Sequence, residues 1–378
     1  MQKRVSIILF RMFHYRVDFL AQLREELKTN DVILDVYYGK PTPESTEKND
    51  TGELPGSVEI SSWCLRLGGK EILLQIPPRR IFSSNLIICM QENRLLINYA
   101  LQLYTRLARR SKFAFWGHGR NFQSRRATGI REGLKRFLLR GSDWFFAYTE
   151  SSRDSLLESG YDPDSITVFN NTIDAEKFRR AVDAVTDVEK SQFLDDLFIA
   201  HDAPIALFCG SMYPAKRISE LLTACTMIRQ KLPDFHLICL GDGPSAVDLK
   251  KAQTTQAWIH YMGVQTGYVK AQAYAVSSVI LNPGLVGLHI VDSFSAGTPM
   301  LTMDYEFHSP EFAYMESGIN GLVTEADEAV YAAAAIALFR DADYQQRLVA
   351  GARQSAEQYS LNAMVSAYTA GILKAIGD

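Results

Sequence analysis

The sequence has few cysteines and no long apolar run, and each absence excludes a class of protein. Its five cysteines are scattered, odd in number and set among apolar neighbours, which favours buried thiols in a reducing compartment over a disulfide framework. No run of about 18 apolar residues exists that could span a bilayer. The early segment VSIILF has no small-residue cleavage site after it and is interpreted as a buried strand. We therefore expect a cytoplasmic protein.

Signatures of metal-dependent and nucleophilic enzymes are also missing. The seven histidines are dispersed, and the two Asp-x-Asp triplets, at 162–164 and 341–343, lie in turn or helix-cap contexts. Neither a serine nucleophile elbow nor a Cys-His signature stands out. The sequence therefore predicts that no metal ion and no other cofactor is needed.

Positive charge is concentrated in one region, although the net charge is only −3. Residues 106–140 contain eleven cations and a single acid, Glu132. Within them, 126–140 places apolar residues on one helical face and cations around the other. This pattern fits a helix on an anionic membrane surface and equally a helix packed on a sheet with its cations in water. Nucleic acid is not expected as a partner, because no recognised nucleic-acid-binding motif accompanies the cations.

Short apolar runs alternate with segments of helical period along the whole chain. The runs are VSIILF, VILDVYY, NLIICM, KFAFWG, DWFFAYT, SITVFNN, PIALFCG, FHLICLG, WIHYMG and SVILNPG. Fully apolar strands separated by helices indicate parallel sheets covered on both faces, and the length suits two domains. We predict an α/β protein with two doubly wound domains, at 1–185 and 200–360, and a last helix at 361–378. Since ligands of open parallel sheets bind at the carboxyl ends of strands, we expect a site in the cleft between the domains.

The segment 207–230, LFCGSMYPAKRISELLTACTMIRQ, predicts a strand, a loop and an amphipathic helix. Gly210 opens the loop and would let backbone N–H groups approach an anion, while the helix N-terminus offers partial positive charge. Lys216 or Arg217 could then close on a phosphate. On this segment alone, diphosphate binding and an ordinary strand-to-helix turn stay equally open.

The segment 281–299, LNPGLVGLHIVDSFSAGTP, is a second strand-to-helix junction. Gly287 falls where the helix should begin, so a ligand could approach the first amides. Asp292, one to two turns later, could accept hydrogen bonds from the hydroxyls of a sugar. The alternative is a tight turn followed by a solvent-facing aspartate. With the preceding loop, the pieces suit a sugar nucleotide.

The segment LGDGPSA matches the G-x-G-x-x-A fingerprint of dinucleotide-binding proteins in form only. Pro244 lies inside it, and no acid follows about 20 residues later to bind a ribose. We interpret it as a turn that borders a nucleotide base.

Two loops of the first half also carry candidate residues. In FWGHGRN, His118 lies between two glycines after an apolar strand, where it could contact a ligand or act as a structural hydrogen-bonding group. In FRMFHYRVDF, four polar residues could bind an anionic acceptor, although surface cations explain them as well. These four residues are Arg11, His14, Tyr15 and Arg16.

In this order, the motifs resemble those of the retaining glycosyltransferases of family 4, which include bacterial polysaccharide and lipopolysaccharide sugar transferases. The resemblance runs from about 204 to 325 through GSMYPAKR, LGDGP, NPG, GLHIVDSFSAGTP and INGLV, and more loosely through WGHG, AYTESSRDSL and VFNNTIDAEKF. It implies the GT-B fold, in which two Rossmann-like domains face each other across a cleft. The first would hold the acceptor and the second the nucleoside diphosphate sugar, and the last helix would cross back to the first.

The resemblance also implies roles for individual residues. Lys216 would neutralise the leaving diphosphate, Asp292 would stand where the family commonly has a ribose-binding glutamate, and His118 would face the transferred sugar. The donor and phosphate site would include Gly210, Ser211, Arg217, Gly284, Gly287 and Leu288.

Three positions depart from the pattern of this family. Gly284 replaces the first acid of the Glu-x7-Glu motif, so the carboxylate that contacts the donor sugar is missing. Ser211 stands where an arginine often follows the glycine of the phosphate loop. Met12 to Tyr15 replace the paired glycines that are frequent in the first loop. We interpret these changes as marks of a subgroup.

The sequence therefore predicts a hexosyltransferase-like enzyme. It would move a sugar, with retention, from a nucleoside diphosphate sugar to a glycan or lipid-linked acceptor in cell-envelope polysaccharide or lipopolysaccharide synthesis. It would act in the cytoplasm, with peripheral contact to the anionic inner face of the plasma membrane as an option. Two alternatives stay open: a catalytically inactive sugar-nucleotide-binding partner of a glycan-assembly complex, and a GT-B relative that acts on the donor as an epimerase or hydrolase.

Overall fold

The computed structural model describes residues 2–40, 51–67, 70–119 and 141–377. They form two units. One joins the residues up to Ile173 with those from Leu361 onward, and the other is Asp174–Ser360. The basic segment 126–140, for which the sequence left a membrane-surface helix open, lies outside the described residues. No helix in the described part of the chain is long and apolar enough to cross a membrane.

A parallel sheet forms the centre of the first unit. The strands described in this unit are β1 (Lys3–Leu9), β2 (Val32–Tyr38), β3 (Val58–Glu59), β4 (Ser61–Leu67), β5 (Lys70–Ile76), β6 (Leu86–Met90), β7 (Lys112–Gly117), β8 (Trp144–Ala147) and β9 (Ile166–Val168). Seven of them form one sheet in the order β3-β2-β1-β6-β7-β8-β9, and every neighbouring pair is parallel. β4 and β5 form a separate antiparallel hairpin.

Helices cover both faces of this sheet. Those described before Ile173 are α1 (Val17–Thr29), α2 (Leu96–Ala108) and α3 (Glu150–Glu158). Because successive side chains of a strand point to opposite faces, Val5 and Ile7 of β1 lie in a buried cluster with residues of α1, whereas Ile8 lies in a second cluster with residues of α2 and α3. The alternation explains why the strand has apolar residues on both faces.

The second unit has the same architecture. Its described strands are β10 (Ile205–Cys209), β11 (His236–Leu240), β12 (Ile259–Tyr261), β13 (Val279–Leu281), β14 (Met300–Met303) and β15 (Gly321–Thr324). They form a parallel sheet in the order β12-β11-β10-β13-β14-β15. Its helices are α4 (Glu176–Asp183), α5 (Asp187–Asp196), α6 (Ile218–Lys231), α7 (Ala246–Ala252), α8 (Gly267–Val276), α9 (His289–Ala296), α10 (Glu328–Arg340) and α11 (Ala342–Gln358).

Each of the ten apolar runs contains a strand, so those predictions are confirmed. Five strands were missed: β3, β4, β5, β14 and β15. In β4 the apolar side chains of Trp63 and Leu65 are exposed, and they alternate with other residue types, so no apolar run marks the strand. β14 and β15 are only four residues long.

The N-terminal part of the first unit ends at Ile173. The sequence placed the end of the first domain at 185. The polar stretch AVDAVTDVEKSQ, at 181–192, is the reason that a linker is predicted between 175 and 200. In the structure it contributes to two helices of the second unit, α4 and α5, which pack against α8. Its polar residues have structural tasks: Thr186 and Glu189 form a capping box at the start of α5, and Asp183 pairs with Arg353 at 3.0 Å.

The last helix, α12 (Leu361–Ile376), belongs to the first unit. Tyr368 is fully buried there and stacks on Phe146 of β8 at 4.2 Å between ring centroids, with edge contacts to Phe19 and Trp116. Gly371 permits the close approach, because a Cβ at this position would lie 2.4 Å from Thr167 Oγ1. The helix therefore completes one face of the first core.

Tyr368→Ala should lower the free energy of unfolding of the first unit by roughly 3–5 kcal/mol, the usual cost of deleting a large buried aromatic side chain. Urea unfolding followed by tryptophan fluorescence measures it. Ser366→Ala, at an exposed position of the same helix, is the control and should change stability by less than about 0.5 kcal/mol. Equal midpoints for the two variants would contradict the packing of α12.

Candidate functional site

Two loops of the second unit start at neighbouring strand ends. β10 and β13 pair directly, and the strand order reverses between them, since β11 and β12 lie on one side and β14 and β15 on the other. In open parallel sheets, ligands bind outside the carboxyl ends of the strands at such a reversal. The loop after β10 carries residues 210–217, and the loop after β13 carries residues 282–288.

These two loops touch through their backbones. Leu285 N–H donates a hydrogen bond to Ala215 O at 2.8 Å. A Cβ on Gly284 would lie 2.2 Å from the same oxygen and 2.6 Å from the carbonyl carbon of Lys216, so no side chain fits there without a shift of the backbone. Gly284, which stands where the family that the sequence resembles has an acid, is therefore the residue that lets the loops dock.

The loop after β11 joins the same group. Gly241, at φ 125°, lies so close to Gly210 that a Cβ would be 1.9 Å from its carbonyl oxygen. Gly241 N–H bonds Gly263 O, and Gly210 N–H bonds Leu240 O. The segment LGDGPSA therefore forms a tight turn that packs against the loop after β10. This agrees with its interpretation as a turn.

Lys216 lies under these loops with only 4% of its surface exposed. Its amine donates a hydrogen bond to Leu285 O at 2.6 Å and to Asn282 Oδ1 at 3.4 Å. Gly210 borders the amine, since a Cβ there would lie 4.0 Å from Nζ. Removal from water lowers the pKa of Lys216 to about 7. The amine is thus positioned to gain a proton when an anion approaches.

Two histidines hold the loop after β13, and neither was singled out in the sequence. His308 Nδ1 accepts a hydrogen bond from Val286 N–H at 3.0 Å, and its Nε2 donates to Met303 O at 3.0 Å. His289 Nε2 lies 3.4 Å from Lys216 Nζ. Burial lowers the pKa of both imidazoles, and for His289 the Lys216 charge adds to the effect. Both rings are therefore neutral at physiological pH.

Asp292 is one turn into α9 and mostly buried. Its carboxylate forms an ion pair with Lys270 of α8 at 2.7 Å, so it is not the solvent-facing aspartate of the alternative interpretation. Lys270 also lies over the Phe178 ring at 4.4 Å. Burial lowers the pKa of Lys270, but the charge of the Asp292 carboxylate and its hydrogen bond raise the pKa by more. The net result is a raised pKa. No motif in the sequence pointed to Lys270.

The remaining predicted donor residues have different surroundings. Ser211 is exposed. Arg217, in the left-handed region at φ 55°, is bound by Glu220 at 2.9 Å. Gly287 N–H bonds His289 Nδ1 at 3.4 Å, and Leu288 precedes α9 without a side-chain cap. Of the predicted set, the structure thus brings Gly210, Gly284 and Lys216 together most closely.

In the first unit, Arg16 and His118 meet at the same tyrosine. Arg16 Nη2 donates to Tyr148 OH at 3.3 Å, and its guanidinium lies over the Trp116 ring at 4.9 Å. The His118 ring meets the Tyr148 ring edge-on at 4.3 Å. Burial, helped by the Arg16 charge, lowers the pKa of His118 to about 4. His118 is thus a neutral group at the carboxyl edge of the first sheet.

Not all four loop residues proposed for the acceptor are surface residues. Arg11 and Arg16 are buried, at 3% and 2% exposure, and Arg11 lies over the Phe13 ring at 4.5 Å. His14 is exposed and meets the Tyr15 ring at 5.7 Å. The interpretation of this loop as a set of surface cations is therefore wrong for its two arginines. Among the described residues, no cluster of three His, Cys, Asp or Glu side chains could hold a metal ion.

Comparison with known proteins finds similarity to a glycosyltransferase family in the second unit. Residues 203–341 match the family model Glycosyl transferases group 1. A phosphatidyl-myo-inositol mannosyltransferase of Mycobacterium leprae (strain TN) is 25% identical over 157 residues, which are 40% of this chain and 41% of that protein. The chain thus matches about two fifths of the length of that relative.

Solved structures resemble the chain over nearly its whole length. Anabaena HepE in complex with UDP has a TM-score of 0.67 at 13% identity, with 98% of this chain and 100% of that chain covered. The lipopolysaccharide outer core galactosyltransferase WaaB has a TM-score of 0.63 at 10% identity, with 98% and 99% covered. The fold prediction is confirmed: the chain has two parallel-sheet α/β domains that resemble GT-B glycosyltransferase structures.

Lys216→Met should raise the free energy of unfolding of the second unit at about pH 6, and the gain should shrink as the pH rises to about 10. The lysine has a pKa of 10.5 when unfolded and about 7 when folded. Between these values the unfolded wild type holds a proton that the folded state has lost, so wild-type stability increases with pH there, whereas methionine has no such proton. Urea unfolding across this pH range tests it.

Lys231→Met, at the exposed end of α6, is the matched control and should follow the wild type at every pH. A stability difference between Lys216→Met and the wild type that does not change with pH would show that the folded amine keeps its proton.

Lys270→Met should destabilise the second unit by about 3 kcal/mol, because it leaves the Asp292 carboxylate buried without its partner. Adding Asp292→Asn should restore part of this loss, so a double-mutant cycle should give a coupling of about 1–3 kcal/mol. The exposed pair Lys250–Asp242, at 3.1 Å, is the control cycle and should couple by less than about 1 kcal/mol. Equal couplings in the two cycles would contradict the burial of the first pair.

Proposed function

We propose that this protein is a glycosyltransferase whose second unit binds a nucleoside diphosphate sugar. The match of residues 203–341 to Glycosyl transferases group 1 supports this proposal, and the resemblance to HepE, a protein solved with UDP and with UDP-glucose, is consistent with it. The observation that carries the proposal is the buried amine of Lys216, held where two glycine-containing loops meet at the strand reversal.

The chemistry follows from the charge that develops during transfer. Cleavage of the bond between sugar and phosphate leaves negative charge on the diphosphate. The pKa of the Lys216 amine is about 7, so an anionic donor nearby favours its protonated form, and the resulting ammonium faces the developing charge from a position that is fixed before the reaction. Because this cation is already in place, its contribution is greater in the transition state than in the ground state. We propose that transfer needs no metal ion and no other cofactor.

The ion pair of Asp292 and Lys270 borders the same site. Lys270 lowers the pKa of His289 through its charge, which places it within electrostatic reach of the Lys216 group. In this proposal the carboxylate that Lys270 orients accepts hydrogen bonds from the donor ribose. In the first unit, the group of Arg16 and His118 would contact the acceptor, and the buried guanidinium favours an acceptor that carries negative charge.

We further propose transfer with retention to a glycan or lipid-linked acceptor of the cell envelope, in the cytoplasm at the inner face of the plasma membrane. The relative named as a phosphatidyl-myo-inositol mannosyltransferase supports a lipid-linked acceptor, and the structural likeness to WaaB is consistent with lipopolysaccharide. Hexosyl transfer is the specific activity proposed.

One observation favours a second candidate function, donor binding without catalysis. No side chain can replace Gly284 unless the backbone shifts, so the carboxylate common at this position of the family is excluded by the loop docking. A protein of this kind would bind the donor as a partner in a glycan-assembly complex. Thermal stabilisation by a nucleotide sugar without any product would favour it.

Lys216→Ala should lower sugar transfer by about 10²–10³-fold, as the loss of one fixed charge donor in a transition state does. The assay uses UDP-, GDP-, ADP-, TDP- and CMP-sugars with cell-envelope lipids and detects glycosylated lipid, free sugar and altered donor by mass spectrometry. Lys231→Ala, at the far end of α6, is the control and should keep wild-type activity. Full activity of Lys216→Ala would refute the role of Lys216. If the wild type gives only free sugar or an epimerised donor, the activity is hydrolysis or epimerisation and not transfer.

A further inference from the structure

Helix α2 of the first unit carries apolar residues on its exposed face as well as on its buried face. The buried face combines Ile97 and Leu101 with three polar residues, Asn98, Gln102 and Thr105. Its exposed face carries apolar residues at positions 96, 100, 103 and 107, which follow one another along one side of a helix. We call these four residues, Leu96, Ala100, Leu103 and Leu107, the α2 stripe.

The stripe is well exposed. Leu96 is 41% exposed, Leu103 58% and Leu107 75%. Single exposed leucines are common on protein surfaces, but three on one line with a small residue between them form a continuous apolar strip. The buried polar side of the same helix has its own explanation, because Asn98 Nδ2 bonds Met90 O at 2.9 Å and Glu92 O at 3.2 Å. Among the described residues, the stripe belongs to neither of the two buried clusters of this unit.

Cations surround the C-terminal end of the stripe. Arg106, Arg109, Arg110 and Lys112 are exposed, and all four line one cavity of about 470 Å³. The acid in its lining is Asp143, whose carboxylate accepts a hydrogen bond from Phe113 N–H at 2.7 Å. Among the described residues of the lining, four cations against one acid favour binding of an anionic group. The helix dipole favours cations at a helix C-terminus, but it does not account for the leucines beside them.

We propose that α2 lies on the surface of an anionic lipid bilayer, with the stripe in the interface and the four cations at lipid phosphates. A bilayer suits both features at once, because apolar side chains enter the boundary with the acyl chains while each nearby cation contributes about 1 kcal/mol. This surface is separate from the segment 126–140, for which the sequence suggested membrane contact. The proposal does not depend on whether the protein transfers a sugar.

The position of α2 determines which side of the first unit would face the bilayer. The cavity lies at the amino ends of β6 and β7, since Asn85 and Ser111 directly precede these strands. His118 follows the carboxyl end of β7. The stripe runs along the helix from the carboxyl ends of the strands toward their amino ends. The bilayer would therefore contact the side of the unit and not its candidate acceptor residues.

Flotation of the full-length protein with vesicles tests this proposal in the absence of nucleotide and acceptor. The protein should bind vesicles of phosphatidylcholine with phosphatidylglycerol, bind vesicles of phosphatidylcholine alone more weakly, and dissociate as salt is added. Leu103→Ser/Leu107→Ser should weaken binding at least about tenfold through lost apolar contact. Arg106→Gln/Arg110→Gln should weaken it about 30-fold, from about 1 kcal/mol for each cation.

Phe198→Ser is the matched control. Phe198 is 93% exposed in the second unit, close in sequence to Asp195, Asp196 and Asp202, and its loss should leave vesicle binding unchanged. Lys216→Ala should also bind as the wild type does, so a failure of the proposed transfer leaves this test intact. Absence of wild-type binding at low salt, or unchanged binding of the leucine variant, overturns the proposal. A wild-type dimer that the leucine variant converts to monomer would overturn it too, and would assign the stripe to a second copy of the chain.

Discussion

A backbone contact between two loops determines the electrostatics of the candidate donor site. Leu285 N–H reaches Ala215 O only because Gly284 has no side chain. Once docked, the second loop shields the Lys216 amine from water, and its pKa falls to about 7. The neighbouring His289 and His308 are uncharged for the same reason. The site therefore holds little fixed positive charge of its own at its centre, and the approach of an anion favours uptake of a proton from water by Lys216.

A buried cation also shapes the electrostatics of the first unit. The Arg16 guanidinium is stabilised by the faces of aromatic rings and by Tyr148 OH. Burial, helped by the Arg16 charge, lowers the pKa of His118 to about 4, so this ring is neutral. In each unit, a buried cationic side chain thus has a neutral imidazole near it.

Features that depend on local sequence could be predicted, and features that depend on distant partners could not. Ten strands were visible because a strand buried on both faces is mostly apolar, and Lys216 was marked by the strand, glycine and helix around it. Lys270 looks like any helix cation until Asp292, 22 residues later, is placed beside it. Arg16 resembles a surface cation for the same reason, since its aromatic neighbours include Trp116 of β7 and Tyr148, which follows β8. The polar residues of α4 and α5 concealed two helices because capping and ion pairing use the residue types of a linker.

The membership of α12 in the first unit has a consequence for biosynthesis. The core around Phe19, Trp116 and Phe146 lacks one wall until residues 361–376 have left the ribosome. Asp174–Ser360 has its own core and needs nothing that is translated later. Multidomain chains generally fold the domain that is synthesised first before the others. In this chain the second unit can reach its native state before the first, because the first unit is incomplete until α12 has been synthesised.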